Sequence, residues 1–216
     1  MDRADGWKGH ARQLLNPVVE ILYRTGISPD ALSYVGLTLS IMAAVAISLG
    51  HLLIALFLLL SAGLLDVLDG QLARRTARVS PGGAFLDSNL DRLAEVATYV
   101  GLLTLWTLAE VPQWWLLLAL LALISSLMVS YVRARGEALG FDAAGGWGQR
   151  PERLILFYIA LAAGAAGYHG AMAVLVGLIG LLASATFATR FAVVRQQARM
   201  MSEGHATSLS DGPPES

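Results

Sequence analysis

The chain has 216 residues, 56% of them hydrophobic and 14% charged, with no cysteine and a mean hydropathy of +0.60. Fifteen Lys and Arg stand against sixteen Asp and Glu, a net charge of -1, so nothing favours a polyanionic partner such as nucleic acid, and a disulfide scaffold is excluded. A chain this apolar reads as an all-α integral membrane domain over residues 1–200, followed by a Ser-, Pro- and Gly-rich tail over 201–216 expected to be disordered.

In chain order, the polar N-terminus MDRADGWKGHARQLL lacks the apolar core and cleavage site of a signal peptide. Residues 7–24 predict an amphipathic interfacial helix with Trp7, Leu14, Leu15, Val18, Val19 and Leu22 toward lipid. Six apolar runs follow, near 31–50, 52–74, 83–108, 113–133, 152–168 and 171–190, each about the twenty residues a spanning helix needs. Six transmembrane helices are therefore expected within about 31–198. Short turns at Gly50-His51, Val111-Pro112 and Gly167–Gly170 join them on one side, and residues 75–82 and 134–151 on the other.

All fifteen Lys and Arg fall before the first span, near the two longer loops, or at and after the end of the last. The positive-inside rule then puts both termini and both longer loops in the cytoplasm of a multi-pass protein of the cell membrane. Trp106, Trp114 and Trp115 fall at the outer ends of the third and fourth spans, as interfacial aromatics would. Small-residue spacings, Gly177 to Gly180 and Ala160 to Gly164, suit close helix packing.

Between Leu64 and Asp91 lie four aspartates, although a carboxylate at membrane depth costs at least about 2.5 kcal/mol. Asp66, Asp69, Gly70 and Ala73 share one helical stripe, and Gly83, Asp87 and Asp91 repeat every four residues on another. A rise of 1.5 Å per residue puts Asp66 and Asp91 about 13 Å, and Asp69 and Asp87 about 8–9 Å, from the inner ends of antiparallel neighbours. Four carboxylates converging in the cytoplasmic third would repel one another unless cations hold them. All-oxygen ligation suits Mg²⁺ or Mn²⁺. Gly70 and Gly83 leave room beside the acids, and Arg74 offers a forked charge suited to phosphate. This combination points to metal-assisted phosphoryl-group transfer.

The spacing Asp66-x2-Asp69-Gly70-x2-Ala73-Arg74-x8-Gly83-x3-Asp87-x3-Asp91 resembles the signature of the CDP-alcohol phosphatidyltransferase family. Eight fixed residues match a given start by chance about once in 10¹⁰. The resemblance implies a six-helix enzyme, active at the cytoplasmic face as a homodimer with two Mg²⁺ or Mn²⁺ per site, that moves the phosphatidyl group of a CDP-lipid onto an alcohol and releases CMP. By the same resemblance, Asp66 and Asp87 would bridge both metals, Asp69 would complete one site, and Asp91 would complete the other and act as general base. Gly70, Arg74 and Ser80 would contact the CDP moiety, as would Pro29, Asp30, Ala31 and Leu32, because SPDA resembles the family's Pro-containing start to the first span.

Arg133, Arg135, Arg150 and Arg153, with Arg195 as a fifth member, are expected to gather over the acids, an arrangement suited to an acceptor that already carries a phosphate. The positive-inside rule alone would also place arginines at these helix ends. YVRAR and RPERL resemble the family branch that uses inositol 1-phosphate (1D-myo-inositol 3-phosphate), the phosphatidylinositol phosphate synthases and their archaetidylinositol counterparts. Glycerol 3-phosphate, the acceptor of phosphatidylglycerophosphate synthases, carries the same phosphate and is the alternative. A cation transporter is a remoter one, since such proteins favour midplane sites on broken helices. Glu95 reads as a hydrogen-bonded helix residue beyond the metals, and Arg75 and Arg92 as partners of acidic groups or lipid headgroups.

Overall fold

The computed structural model describes residues 15–76, 80–143 and 149–210, with side chains through Met201. All regular structure in these residues is helical: α1 (15–25), α2 (Pro29–Ser48), α3 (Leu52–Arg75), α4 (Pro81–Leu108), α5 (Gln113–Ala138), α6 (Arg150–Ala165) and α7 (His169–Ser210). They fall into two compact units, Met1–Val111 with α1 to α4 and Pro112–Ser216 with α5 to α7.

Local chemistry explains the helix starts. Ser28 caps α2 by accepting the Ala31 N–H at 3.2 Å, and Ser80 caps α4 by accepting that of Gly83 at 3.0 Å. Pro29 and Pro81 follow at the first helical position, where a missing N–H costs nothing. At α6 the Glu152 carboxylate accepts the Gln149 N–H at 3.0 Å, half of a capping box. Gly50, with φ +79°, ends α2 in the left-handed region, and the turn closes through His51 N–H to Ala46 O. After α4 the same work falls to Glu110, at φ +51°, where a side chain is less welcome.

Among the described residues four helices, α2, α3, α5 and α7, are long and apolar enough to cross a membrane. The other two expected spans fall short for separate reasons. α4 carries Asp87, Asp91, Arg92 and Glu95 among its first fifteen residues, and α6 has only 16 residues, about 24 Å.

In the first unit α2 packs against both α3 and α4. A Cβ on Gly101 would lie 2.3 Å from the Ala44 carbonyl oxygen, so α4 and α2 meet backbone to backbone there. In the second unit α7 packs against α5 and α6. The small residues singled out in the sequence sit at close approaches: a Cβ on Gly180 would be 3.1 Å from Ala122 N, and Ala160 and Gly164 are buried.

Three expectations are corrected. Leu15, Val19 and Leu22 face protein and not lipid: Val19 is buried against Leu32, Leu68 and Leu72, with Leu15 and Leu22 packed on that cluster. Their exposed neighbours Val18 and Ile21 occupy the other side, while Trp7 and Leu14 lie outside the described residues. Trp106 is 2% exposed, a core residue of the first unit, whereas Trp114 is exposed and meets Trp115 edge to face. The tail expected to be disordered from 201 is helical through Ser210, where α7 runs on without a proline to break it, and residues 211–216 lie outside the description.

Candidate active site

Asp66 and Asp69 come from one stripe of α3 and Asp87 from the facing part of α4, and each offers a carboxylate oxygen within 4.8 Å of the others. Asp69 is buried, Asp87 half-buried and Asp66 exposed, so the cluster opens at one side. The three acids fit a hard divalent cation: the donors are all oxygen, the charge is high, and the oxygens lie within a small adjustment of coordinating distances. Asp91, one turn further along α4, is not in this group of three. Its Oδ2 lies 3.8 Å from Arg92 Nη2, and Arg92 Nε lies 3.6 Å from Glu95 Oε2.

A hydroxyl from a third helix reaches the cluster. Ser33 Oγ on α2 donates to Asp69 Oδ2 at 2.7 Å. Reading the sequence missed Ser33, because nothing in a helical period states which residue of one helix faces which residue of the next.

The positions expected to hold the nucleotide gather at the adjoining helix ends. A Cβ on Gly70 would stand 3.8 Å from Arg74 Nη2, so the Arg74 guanidinium lies over the face that glycine leaves bare. A Cβ on Gly83 would meet Ser80 Oγ at 3.3 Å and Asp30 Oδ1 at 4.0 Å, which brings the first turn of α2 beside the start of α4. Within that turn Asp30 and Ala31 are exposed, Pro29 is half-buried, and Leu32 is buried with Leu68 and Leu72.

Arg75 and α1 form a brace beside this region. Arg75 pairs with Glu20 and stacks 5.3 Å from the centroid of the Tyr23 ring, and Arg24 Nε donates to Glu20 at 3.0 Å. The Arg24 hydrogen bond, reinforced by the charge of Arg75, holds the Glu20 carboxyl below its ordinary value against a desolvation that pushes it up.

The expected arginines of the second unit do not share one environment. Arg153 is buried, Arg150 half-buried, and Arg135 and Arg195 exposed. Arg133 Nε donates to Glu137 at 2.8 Å on the surface of α5. Arg190 was not among the expected set, yet it is buried, donates to Val129 O at 3.3 Å, and lies within electrostatic reach of Arg133 and Glu137. Its signal was available: an arginine inside the apolar run 171–190 is costly unless it faces protein.

The family described as CDP-alcohol phosphatidyltransferase matches residues 26–194. The chain is 39% identical over 157 residues to an archaetidylinositol phosphate synthase of Methanothermobacter thermautotrophicus, covering 73% of this chain and 74% of that one. It is 36% identical over 155 residues to a phosphatidylinositol phosphate synthase of Corynebacterium glutamicum, covering 70% of each. The fold is similar to that of the Mycobacterium tuberculosis phosphatidylinositol phosphate synthase with CDP-DAG bound, at a TM-score of 0.78 and 29% identity over 84% of this chain and 94% of that one. The same enzyme in complex with manganese and citrate gives a TM-score of 0.77 at 30% identity, over 82% and 87%.

Proposed function

The chain belongs to the CDP-alcohol phosphatidyltransferase family, and on that footing we propose that it transfers the phosphatidyl group of CDP-diacylglycerol to 1D-myo-inositol 3-phosphate, giving phosphatidylinositol phosphate and CMP. The observation that carries this reading is the convergence of Asp66, Asp69 and Asp87 in a chain whose relatives are named for inositol phosphate products. Asp66, Asp69, Asp87 and Asp91 would hold two divalent ions, Mg²⁺ or Mn²⁺. When bound, such ions polarise a phosphoryl centre and neutralise a leaving phosphate.

The residues of the chain do the rest. Pro29, Asp30, Ala31, Leu32, Gly70, Arg74 and Ser80 hold the CDP moiety, with the Arg74 fork on the diphosphate. Asp91 accepts the proton of the acceptor hydroxyl as its oxygen attacks the phosphorus that bears the lipid. The new P–O bond forms as the bond to the CMP oxygen breaks, and CMP departs with that electron pair. Arg133, Arg135, Arg150, Arg153 and Arg195 bind the phosphate that the acceptor already carries, by charge-assisted hydrogen bonds.

The domain spans 1–200 and crosses the cell membrane six times, with α4 and α6 joining the four apolar helices. The arginine-bearing ends, both termini and the active site face the cytoplasm. α1 lies in the interface with Val18 and Ile21 outward, and the working form is a homodimer.

The test is CMP release by purified protein offered inositol, inositol 1-phosphate or glycerol 3-phosphate, in EDTA and with Mg²⁺ or Mn²⁺ restored. Turnover is expected only with inositol 1-phosphate and a divalent ion. Arg153→Ala should raise the acceptor KM about ten- to a hundredfold, from the loss of roughly 1.5–3 kcal/mol. Preference for glycerol 3-phosphate would overturn the acceptor, and undiminished turnover in EDTA would overturn the metal centre.

A further inference from the structure

We infer that Ser33 is a positioning residue of the metal centre, fixing the Asp69 carboxylate so that its free lone pairs face the cation; this rests on the reading of Asp66, Asp69 and Asp87 as ligands. A hydroxyl has one proton to give, and two acceptors stand near Ser33 Oγ: Asp69 Oδ2 at 2.7 Å and Pro29 O at 3.4 Å. The shorter contact has the length of a charge-assisted O–H···O⁻ bond, so the proton goes to the carboxylate. The bond restrains rotation about the terminal torsion of Asp69, which is otherwise broad, and leaves Oδ1 unused by Ser33.

Position strengthens the case. Asp69 is the buried member of the cluster, at 7% exposure, where a carboxylate is costly unless it is hydrogen-bonded. Leu32, beside Ser33, is buried against Leu68, beside Asp69, so packing of α2 on α3 holds donor and acceptor in register. Asp66 and Asp87 lie where three anions repel, and a donor on one of them offsets that repulsion while no cation is bound. Hydrogen bonds to a ligating carboxylate from outside the coordination sphere set metal affinity in general, commonly by about 10- to 100-fold.

The experiment is a Mn²⁺ titration of the purified full-length protein in detergent, with free Mn²⁺ read by electron paramagnetic resonance, alongside the rise in unfolding midpoint that Mn²⁺ produces. Ser33→Ala should raise the Mn²⁺ Kd by about 10- to 100-fold and shrink the Mn²⁺-induced rise in midpoint. Ser33→Thr, which keeps the hydroxyl, should bind as wild type does. In activity assays the alanine variant should need more Mn²⁺ for half-maximal rate while its acceptor KM at saturating metal stays unchanged. Should Ser33→Ala fail to fold, Ser33→Thr and Ser33→Val decide, since they match in shape and differ in the donor: a weaker valine supports the inference and equal Kd values overturn it. A folded Ser33→Ala that binds Mn²⁺ like wild type also overturns it. If wild type shows no Mn²⁺ binding that Asp69→Asn removes, the metal centre itself falls, and the role of Ser33 with it.

Discussion

Gly101→Ala tests whether a backbone contact far from the acids sets their geometry. The added Cβ would stand 2.3 Å from the Ala44 carbonyl oxygen and 3.0 Å from Ala44 C and Cα, whereas carbon–oxygen contacts between packed helices settle near about 3.3–3.6 Å. Ala44 presents main chain, which cannot rotate aside, so α2 and α4 must part by about 1 Å. Two effects compete. Alanine in a helix interior gains about 1 kcal/mol over glycine, and overpacking costs about 1–3 kcal/mol. A main-chain overlap this deep belongs at the upper end, leaving a net destabilisation of about 2 kcal/mol. Activity should fall further than stability, because Asp87 rides on α4 and a misplacement of about 1 Å in a reacting arrangement costs on the order of 10²-fold. The assay is the unfolding midpoint in detergent together with CMP release, with Gly170→Ala, whose Cβ meets nothing within 4 Å, as the control. A Gly101→Ala protein as stable and active as the control would refute the backbone contact and the registration of α4 through it.

Removing acids should separate binding from transfer. Asp66→Asn and Asp87→Asn are each expected to abolish both Mn²⁺ binding and CMP release, whereas Asp91→Asn, outside the group of three, should lose transfer and keep measurable Mn²⁺ and CDP-lipid binding; near-normal transfer by Asp91→Asn would remove the general-base role. The brace at α1 should depend on pH: Glu20 is held below its ordinary value of 4.5, so its pairing with Arg24 and Arg75 is complete above that value and is lost as pH falls through the lower folded value. Hydrogen exchange over 15–25, corrected for intrinsic rates, should rise in wild type across that window and be high throughout in Glu20→Gln; identical profiles would refute the brace.

What the sequence made legible was whatever lies within one helix. Helical period alone places Asp66, Asp69 and Gly70 on a stripe and Gly83, Asp87 and Asp91 on another, and the caps at Ser28 and Ser80 start α2 and α4 within about two residues of where the apolar runs begin. What stayed hidden lies between helices. Whether Val19 faces lipid or protein depends on where α1 comes to rest, and its apolar face suits either. Trp106 sits at a span end, where aromatics gather, and only the packing of its unit shows that it is core. Ser33 looks like any small polar residue in a first span until α3 brings Asp69 to 2.7 Å.

Glycine shows the same division within one residue type. At Gly70 and Gly83 the atoms that a Cβ would approach are the Arg74 guanidinium, the Ser80 hydroxyl and the Asp30 carboxylate, polar ends of side chains at 3.3 Å or more. Such groups can shift, so the missing Cβ leaves space between groups suited to a nucleotide and its phosphates. At Gly101 the neighbour is the main chain of Ala44, and the missing Cβ is what allows two helices to touch. The first two glycines stand among acids at helical spacing and announce themselves; the third lies in VGLLTLW, with no charged residue within five positions to mark it. Yet the third governs the others, since α4 carries Gly83 and Asp87 and is held against α2 through Gly101. A site assembled from α2, α3 and α4 is therefore only as well placed as an apolar contact more than three turns along α4 from Asp87, about 21 Å by helical rise, permits.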